Sequence, residues 1–159
     1  MSAWSVAAAE IREAEPADVP ALVALEQAVF TTDRLSRRSW RRLVTVPSAC
    51  VLVAECGGAL VGSAVLLFRR NSRQARLYSL ARDARPDLGG LGAKLLAAAE
   101  RCAAMRDCIT ITLEVQDDNK KALRLYERAG YRAVAQLPAY YETGRDGTRM
   151  IKSLDLSTR

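Results

Sequence analysis

Three stretches of this chain carry side chains whose types and spacing can do chemistry. The first is Asp87-Leu88-Gly89-Gly90-Leu91-Gly92-Ala93-Lys94. Its glycines let the backbone turn tightly and aim several N–H groups at one point. A helix starting there adds positive potential, so the loop suits a diphosphate. It is too short on glycine for a G-x-G-x-x-G fingerprint, and it lacks the G-K-S/T end of a P-loop. The second is Glu114, the one acid in the run Ile109–Val115. It stands at the carboxyl end of that run, where open sheets place their ligands. The third is Asn119 with Tyr126, two helical turns apart and hence on nearly one helix face. A carboxylate and a phenol at one site make a base and an acid. Each also has a plainer reading: a tight turn, a strand-end acid in solvent, a core tyrosine. The chain has no histidine, which excludes every triad built on one. Its four cysteines (Cys50, Cys56, Cys102, Cys108) show no C-x-x-C spacing, so no metal site is expected.

These residues need elements to position them. Glu10–Glu13 reads as a short strand. Asp18 then caps a helix with Pro20 in its first turn, along which Val19, Leu22, Val23, Glu26 and Val29 continue a helical repeat. A second helix covers Ser36–Val44 and stops before Pro47. Ala49–Cys56 and Ala59–Phe68 are apolar strands joined at Gly57-Gly58, a hairpin signal, and Gln74–Asp83 forms another strand. The period then switches. Leu91, Leu95, Ala98, Cys102 and Met105 form one apolar stripe on a helix over Gly90–Met105. Ile109, Ile111, Leu113 and Val115 alternate with Thr110, Thr112 and Glu114, the pattern of a strand with two unlike faces. Asp118 or Asn119 caps a helix running to Ala129, and Gly130 stops it. Tyr131–Leu137 and Thr148–Leu156 close the chain as strands. Residues 1–9 are expected to be a flexible lead, and residues 10–159 a single α+β domain.

Composition agrees with that size. The chain has 159 residues, 50% of them hydrophobic and 26% charged, the balance of a globular protein. No apolar run approaches the roughly 20 residues of a membrane span, and the start, MSAWSVAAAE, has no basic region ahead of an apolar one. A cytoplasmic setting with reduced, mostly buried thiols is expected. The net charge is +6, and without Arg34, Arg37, Arg38, Arg41 and Arg42 it falls to +1, so the excess is local. That basic helix could meet RNA, a phosphorylated ligand or an acidic surface, or be a solvated face.

In order along the chain stand Leu80-Ala81-Arg82-Asp83, Leu88-Gly89-Gly90-Leu91-Gly92, and Leu113-Glu114-Val115 with Asn119. Leu125-Tyr126-Glu127-Arg128-Ala129-Gly130-Tyr131 completes them. Over about Ile11 to Leu156 this resembles the GNAT superfamily of acetyl-CoA-dependent N-acetyltransferases. The most specific segment is LEVQDDNKKALRLYERAGY, similar to the family's E-V-x-x-x-N-x-x-A-x-x-L-Y-x-x-x-G-F/Y. Within the family the chain is most similar to the ribosomal-protein-alanine and related protein N-terminal acetyltransferases. Those carry a Y-Y-x-x-G-x-D-x-x-x-M run, close to the stretch from Tyr140-Tyr141 to Met150.

The resemblance implies a mixed, mostly antiparallel sheet, splayed between its fourth and fifth strands and flanked by about four helices. It implies that Leu80, Ala81 and Arg82 carry a bulge for the acetyl carbonyl and pantetheine. Leu88, Gly89, Gly90, Leu91, Gly92 and Ala93 would hold the diphosphate through main-chain N–H groups, and Asn119 would bond the pantetheine. Glu114 would be the general base, Tyr126 the acid at sulfur, and Tyr140 and Tyr141 the walls of a slot for the acceptor. Asp87 departs from the family, which usually has Gln or Arg there. The function implied is acetyl transfer from acetyl-CoA to a primary amine, a protein or peptide N-terminal α-amine, by direct attack in a ternary complex. The alternatives are a small-molecule amine as acceptor (polyamine, aminoglycoside or amino acid), or a non-catalytic acyl-CoA- or RNA-binding module. Partners would be acetyl-CoA and the amine acceptor, with no membrane or nucleic acid, for a monomer or homodimer. The arginine helix is expected to border the acceptor side of the cleft as a positive rim.

Overall fold

Among the described residues seven strands form one sheet in the order β1-β2-β3-β4-β5-β7-β6. The computed structural model describes residues 4–155. The strands are β1 (Glu10–Glu13), β2 (Ala49–Cys56), β3 (Ala59–Phe68), β4 (Gln74–Arg82), β5 (Thr110–Gln116), β6 (Arg132–Leu137) and β7 (Gly147–Ser153). The helices are α1 (Val19–Val29), α2 (Arg37–Leu43), α3 (Leu91–Met105) and α4 (Lys120–Arg128), with short 3-10 turns at Pro16–Asp18 and Pro86–Leu88. Every neighbouring pair is antiparallel except β4 and β5, which the intervening α3 makes parallel.

Side-chain alternation sorts the two faces. Leu66, Ala75, Leu77, Ile111, Leu113 and Met150 point to the face covered by α3 and α4, where Leu91, Leu95 and Tyr126 meet them. Val51, Val53 and Val65 point the other way, against Val19 and Leu22 of α1 and Trp40 of α2. Glu114 and Thr112 share that second face with the polar residues of β4, because each lies one residue off the buried Ile111, Leu113 and Val115.

The local signals mostly end where the sequence ends them. Ser36 caps α2 by accepting the Ser39 N–H at 3.0 Å, and Asn119 caps α4 by accepting the Ala122 N–H at 3.2 Å. Gly130 stops α4 at φ 99°, in the left-handed region. Two positions expected inside differ: Met105, the last residue of α3, is 74% exposed, and Ile109, just ahead of β5, is 42% exposed. The C-terminal strand stops at Ser153, and residue 156 of its expected span lies outside the described residues. Of the expected flexible lead, residues 4–9 are described. Lys94 Nζ donates to the carbonyls of Val6 and Ala9 at 3.0 and 2.6 Å, and Arg85 stacks on the Trp4 ring at 4.1 Å. Among the described residues no helix is long and apolar enough to cross a membrane.

Candidate active site

The site begins where one ladder ends. The β4–β5 pairing runs from Gln74↔Thr110 to Leu77↔Leu113 and goes no further. On the other side of β4 the register with β3 skips a residue between Val65↔Ser79 and Leu66↔Leu77, which leaves Tyr78 as a bulge. The bulge expected at Leu80-Ala81-Arg82 therefore sits earlier, at the last rung of the parallel ladder. Beyond it β4 follows β3, β5 follows β7, and the two strands part.

A cavity of about 830 Å³ fills the gap. Its wall draws on both faces of the sheet: Glu26 and residues 29–33 and 35 from α1 and the α1–α2 connection, and Asn119, Ala122 and Tyr126 from around α4. Leu80, Glu114, Asn119, Tyr126, Tyr140 and Tyr141, six of the residues singled out in the sequence, meet on this one wall. Ala81, Arg82 and residues 88–93 do not line it. Ala81, Leu88 and Leu91 bury their side chains in the core, and Arg82 donates to the carbonyls of Asp83 and Arg85 at 2.9 and 3.3 Å. What the glycine loop offers is backbone. Gly90 adopts φ 94° ahead of α3, and the first intrahelical bond runs from Lys94 N–H to the Gly90 carbonyl, so the amides of residues 89–93 are free of helical partners, while the Leu88 N–H donates to the Arg85 carbonyl at 3.0 Å. Lys94 itself is turned away toward residues 6 and 9, and Asp87 is exposed.

Glu114 is held by a set of partners the sequence did not announce. Its side chain is 8% exposed, and Arg76 Nη2 lies 2.9 Å from Oε1. The Tyr140 hydroxyl donates to Oε1 at 3.4 Å, and Arg149, its cross-strand neighbour, stands 3.7 Å away. Arg76 also donates to the Tyr140 oxygen at 3.3 Å, which ties the β6–β7 loop to β4. The signal for Arg76 is the period of β4: Gln74, Arg76 and Tyr78 alternate with buried Ala75 and Leu77, on the face Glu114 shares. A second groove of about 580 Å³ continues along that face, with Arg76 and Glu114 as its common wall with the first.

Tyr126 projects from α4 with its ring braced edge-on by Tyr131 at 5.8 Å, and Tyr131 donates its hydroxyl to Glu100 at 3.0 Å. Burial, and secondarily the charge of a nearby Tyr141 phenolate, push the Tyr126 phenol well above its ordinary range, so it stays protonated at neutral pH. Burial likewise takes Tyr141 up to about 12. Tyr140 and Tyr141 contact each other edge-on at 5.1 Å. A Cβ on Gly147 would come 2.7 Å from the Tyr141 ring, so that ring has its place only because residue 147 is glycine. Asn119 serves first as helix cap, through its oxygen.

The arginine helix lies apart. The cavity wall ends at Leu35 on that side, and none of Arg37, Arg38, Arg41 or Arg42 belongs to it. Its ionisable carboxyls are Glu26, Asp33, Glu114 and Glu142, against the guanidiniums of Arg76 and Arg145. The expected positive rim is thus absent from the wall, where acids outnumber bases.

A sheet split between two parallel strands, reached from both faces and flanked by a glycine-opened helix start, is a cleft for bringing two substrates together: a transferase. Residues 12–131 match the Acetyltransferase (GNAT) family, and the chain belongs to it. It is therefore an acyl-CoA-dependent acetyltransferase, in a family whose acyl donor is acetyl-CoA. An uncharacterized N-acetyltransferase of Methanocaldococcus jannaschii is 33% identical over 143 residues, 89% of this chain and 90% of that one. Human N-alpha-acetyltransferase 30 is 32% identical over 107 residues, 65% of this chain but 29% of the human protein. The crystal structure of Ard1 from Thermoplasma volcanium superposes with a TM-score of 0.82 at 27% identity, over 92% of this chain and 98% of that one.

Proposed function

We propose that this enzyme acetylates the N-terminal α-amine of a protein or peptide. The observation that carries the reading is the meeting of Glu114, Tyr126 and the Tyr140-Tyr141 pair on one cavity open to both faces of the sheet. Acetyl-CoA would enter from the α3–α4 face. Its diphosphate would take the free amides of residues 89–93, the Leu88 N–H being already bonded to the Arg85 carbonyl at 3.0 Å, and its pantetheine Leu80 through Arg82 and the Asn119 amide nitrogen. The acceptor would enter from the α1 face between the α1–α2 connection and the tyrosine pair. The amine nitrogen attacks the thioester carbon, and the C–S bond breaks. The nitrogen's proton passes to Glu114 directly or through one water, while Tyr126 gives its own to the departing thiolate. The products are the acetylated amine and CoA. An α-amine, with an ordinary pKa of about 7.7–8.0, needs little help to become neutral, whereas a lysine at about 10.4 needs much more. Much of the acceleration would come from holding amine and thioester together. The acid-rich wall suits an acceptor that arrives as an ammonium ion. The four free thiols fit a reducing compartment, and a cytoplasmic location is part of the proposal.

The test is CoA release from acetyl-CoA with three acceptors: an alanine-initiated peptide, a lysine peptide blocked at its N-terminus, and spermidine. The alanine-initiated peptide should give the highest kcat/KM. If spermidine or the lysine peptide is the better acceptor, the N-terminal assignment falls and the small-amine or side-chain reading replaces it.

A further inference from the structure

One carboxyl on the cavity wall has no assigned task. Glu26 stands in α1 on a stripe with Val19, Leu22 and Leu25, where a core helix would carry an aliphatic residue. It is 3% exposed. Its Oε1 accepts the Leu35 N–H at 3.1 Å, closing the α1–α2 connection back onto the helix. Its Oε2 is buried with no hydrogen-bond partner. Burial drives the carboxyl above its ordinary range, opposed by the Leu35 N–H and the charge of Arg34. A loop anchor needs one oxygen, and a glutamine would provide it without a buried charge. Leaving the second oxygen unbonded costs stability that nothing in the resting fold returns. Glu26 lines the cavity together with Tyr78, Glu114 and Tyr140, on the α1 face. A ligand entering there with an N–H to donate would satisfy the oxygen.

We infer that Glu26 is an acceptor-binding residue, its Oε2 taking a hydrogen bond from an N–H of the amine substrate and so fixing the amine's approach to the thioester. The inference rests on reading the cleft as one for acetyl transfer to an amine. An N-terminal peptide has two such donors, the ammonium group itself and the first backbone N–H, and the test separates them. It also separates the inference from the proposed substrate, because it can be run on whichever amine is turned over best.

The informative variant is Glu26→Gln. Its carbonyl keeps the Leu35 bond, while its NH₂ puts a donor where the acceptor needs an oxygen. Acceptor KM should rise about 10-fold or more, as expected for one lost hydrogen bond to a charged group. The KM for acetyl-CoA should stay within about 3-fold, and the Tm should hold or rise as the buried charge is removed. An unchanged acceptor KM in a folded Glu26→Gln protein would overturn the inference and leave Glu26 as a loop anchor. The wild-type enzyme supplies a second measurement that needs no variant. Two analogues of the alanine-initiated peptide are compared as inhibitors: one with the α-amine replaced by hydrogen, one N-methylated at the second residue. Weaker binding of the first names the ammonium as donor, weaker binding of the second the backbone N–H. Equal binding of both and the parent overturns the inference. If spermidine proves the preferred acceptor, the peptide assignment fails, and the Glu26→Gln comparison on spermidine still decides the role of Glu26.

Discussion

Replacing Glu114 by Gln separates its two possible jobs, taking a proton and holding the cleft together. The structure sets the size of the second. Glu114 Oε1 receives Arg76 at 2.9 Å, Tyr140 at 3.4 Å and Arg149 at 3.7 Å, but both arginines are 41% exposed and stay hydrated when the charge opposite is lost. Partly exposed ion pairs of this kind contribute about 1 kcal/mol or less, so the Tm should fall by no more than about 2–4 °C. The first job is larger: a positioned base accounts for roughly 10²–10⁴ in rate. It also has a pH signature. With an amine of pKa about 8, roughly 1% of the acceptor is neutral at pH 6 and roughly 90% at pH 9. An enzyme that can no longer accept a proton depends on that neutral fraction. The ratio of wild-type to Glu114→Gln kcat/KM should thus be greatest near pH 6 and shrink by up to about two orders of magnitude by pH 9. The assay is initial CoA release at saturating acetyl-CoA across that range, with thermal melts of both proteins. Parallel pH profiles with a constant offset would refute proton acceptance by Glu114 and leave it as the anchor of Arg76 and Tyr140.

Tyr126→Phe should lower kcat by about 10- to 100-fold with little change in the KM for acetyl-CoA. Because burial raises the phenol, the wild-type kcat should show no descending limb from Tyr126 below its ordinary pKa of about 10, and a survivor with full kcat would make this tyrosine only core. Gly147→Ala drives a methyl to 2.7 Å from the Tyr141 ring, so acceptor KM should rise severalfold while acetyl-CoA KM holds; unchanged acceptor kinetics would remove Tyr141 from the acceptor slot. Cys50 and Cys102 share a hydrogen bond at 3.0 Å that pulls Cys102 below and pushes Cys50 above the ordinary thiol range, and Cys102 is the one thiol not fully buried. Iodoacetamide at pH 7 should therefore alkylate one thiol of the native enzyme first, and mass spectrometry that finds it elsewhere than Cys102 would contradict the polarised pair.

Much of the fold was legible because local chemistry and tertiary packing agree along this chain. Gly57-Gly58, the helix start expected at Ser36, the Asn119 cap and Gly130 each mark a boundary that lies within a residue or two of its place in the sequence. Period-two alternation alone places Glu114 on the face opposite Leu113. The signals failed where an outcome depends on a neighbour far along the chain. β4 carries β3 on one edge and β5 on the other, and the bulge at Tyr78 falls where the β5 edge is let go, an outcome set by partner strands that no residue of β4 announces. Arg76 reaches Glu114 across a span of 38 residues. The arginine cluster misled in the opposite way, since composition fixes the sign of a charge excess and not the side of a helix that faces a cleft.

On the proposed function, the same loss of pairing is what would let one small sheet hold both substrates. A parallel pair that stayed in register to its end would put Glu114 beside β4, and the space Tyr126 shares with it would close. Here β5 is held more firmly by β7, through seven rungs from Thr110↔Ser153 to Gln116↔Gly147, than by β4 through four. Past Leu77↔Leu113 the carboxyl half of β5 follows β7 and carries Glu114 away from β4. The amides and carbonyls of β4 beyond Tyr78 then lose their partners on that side, and unpaired backbone next to a cavity is what a peptide-like pantetheine arm can bond. Arg76, the last polar residue before the bulge, still reaches across to Glu114 and so limits how far the strands part. The opening proposed for acetyl-CoA and the clamp on the Glu114 carboxylate thus follow from one event, the end of the β4–β5 pairing after Leu77.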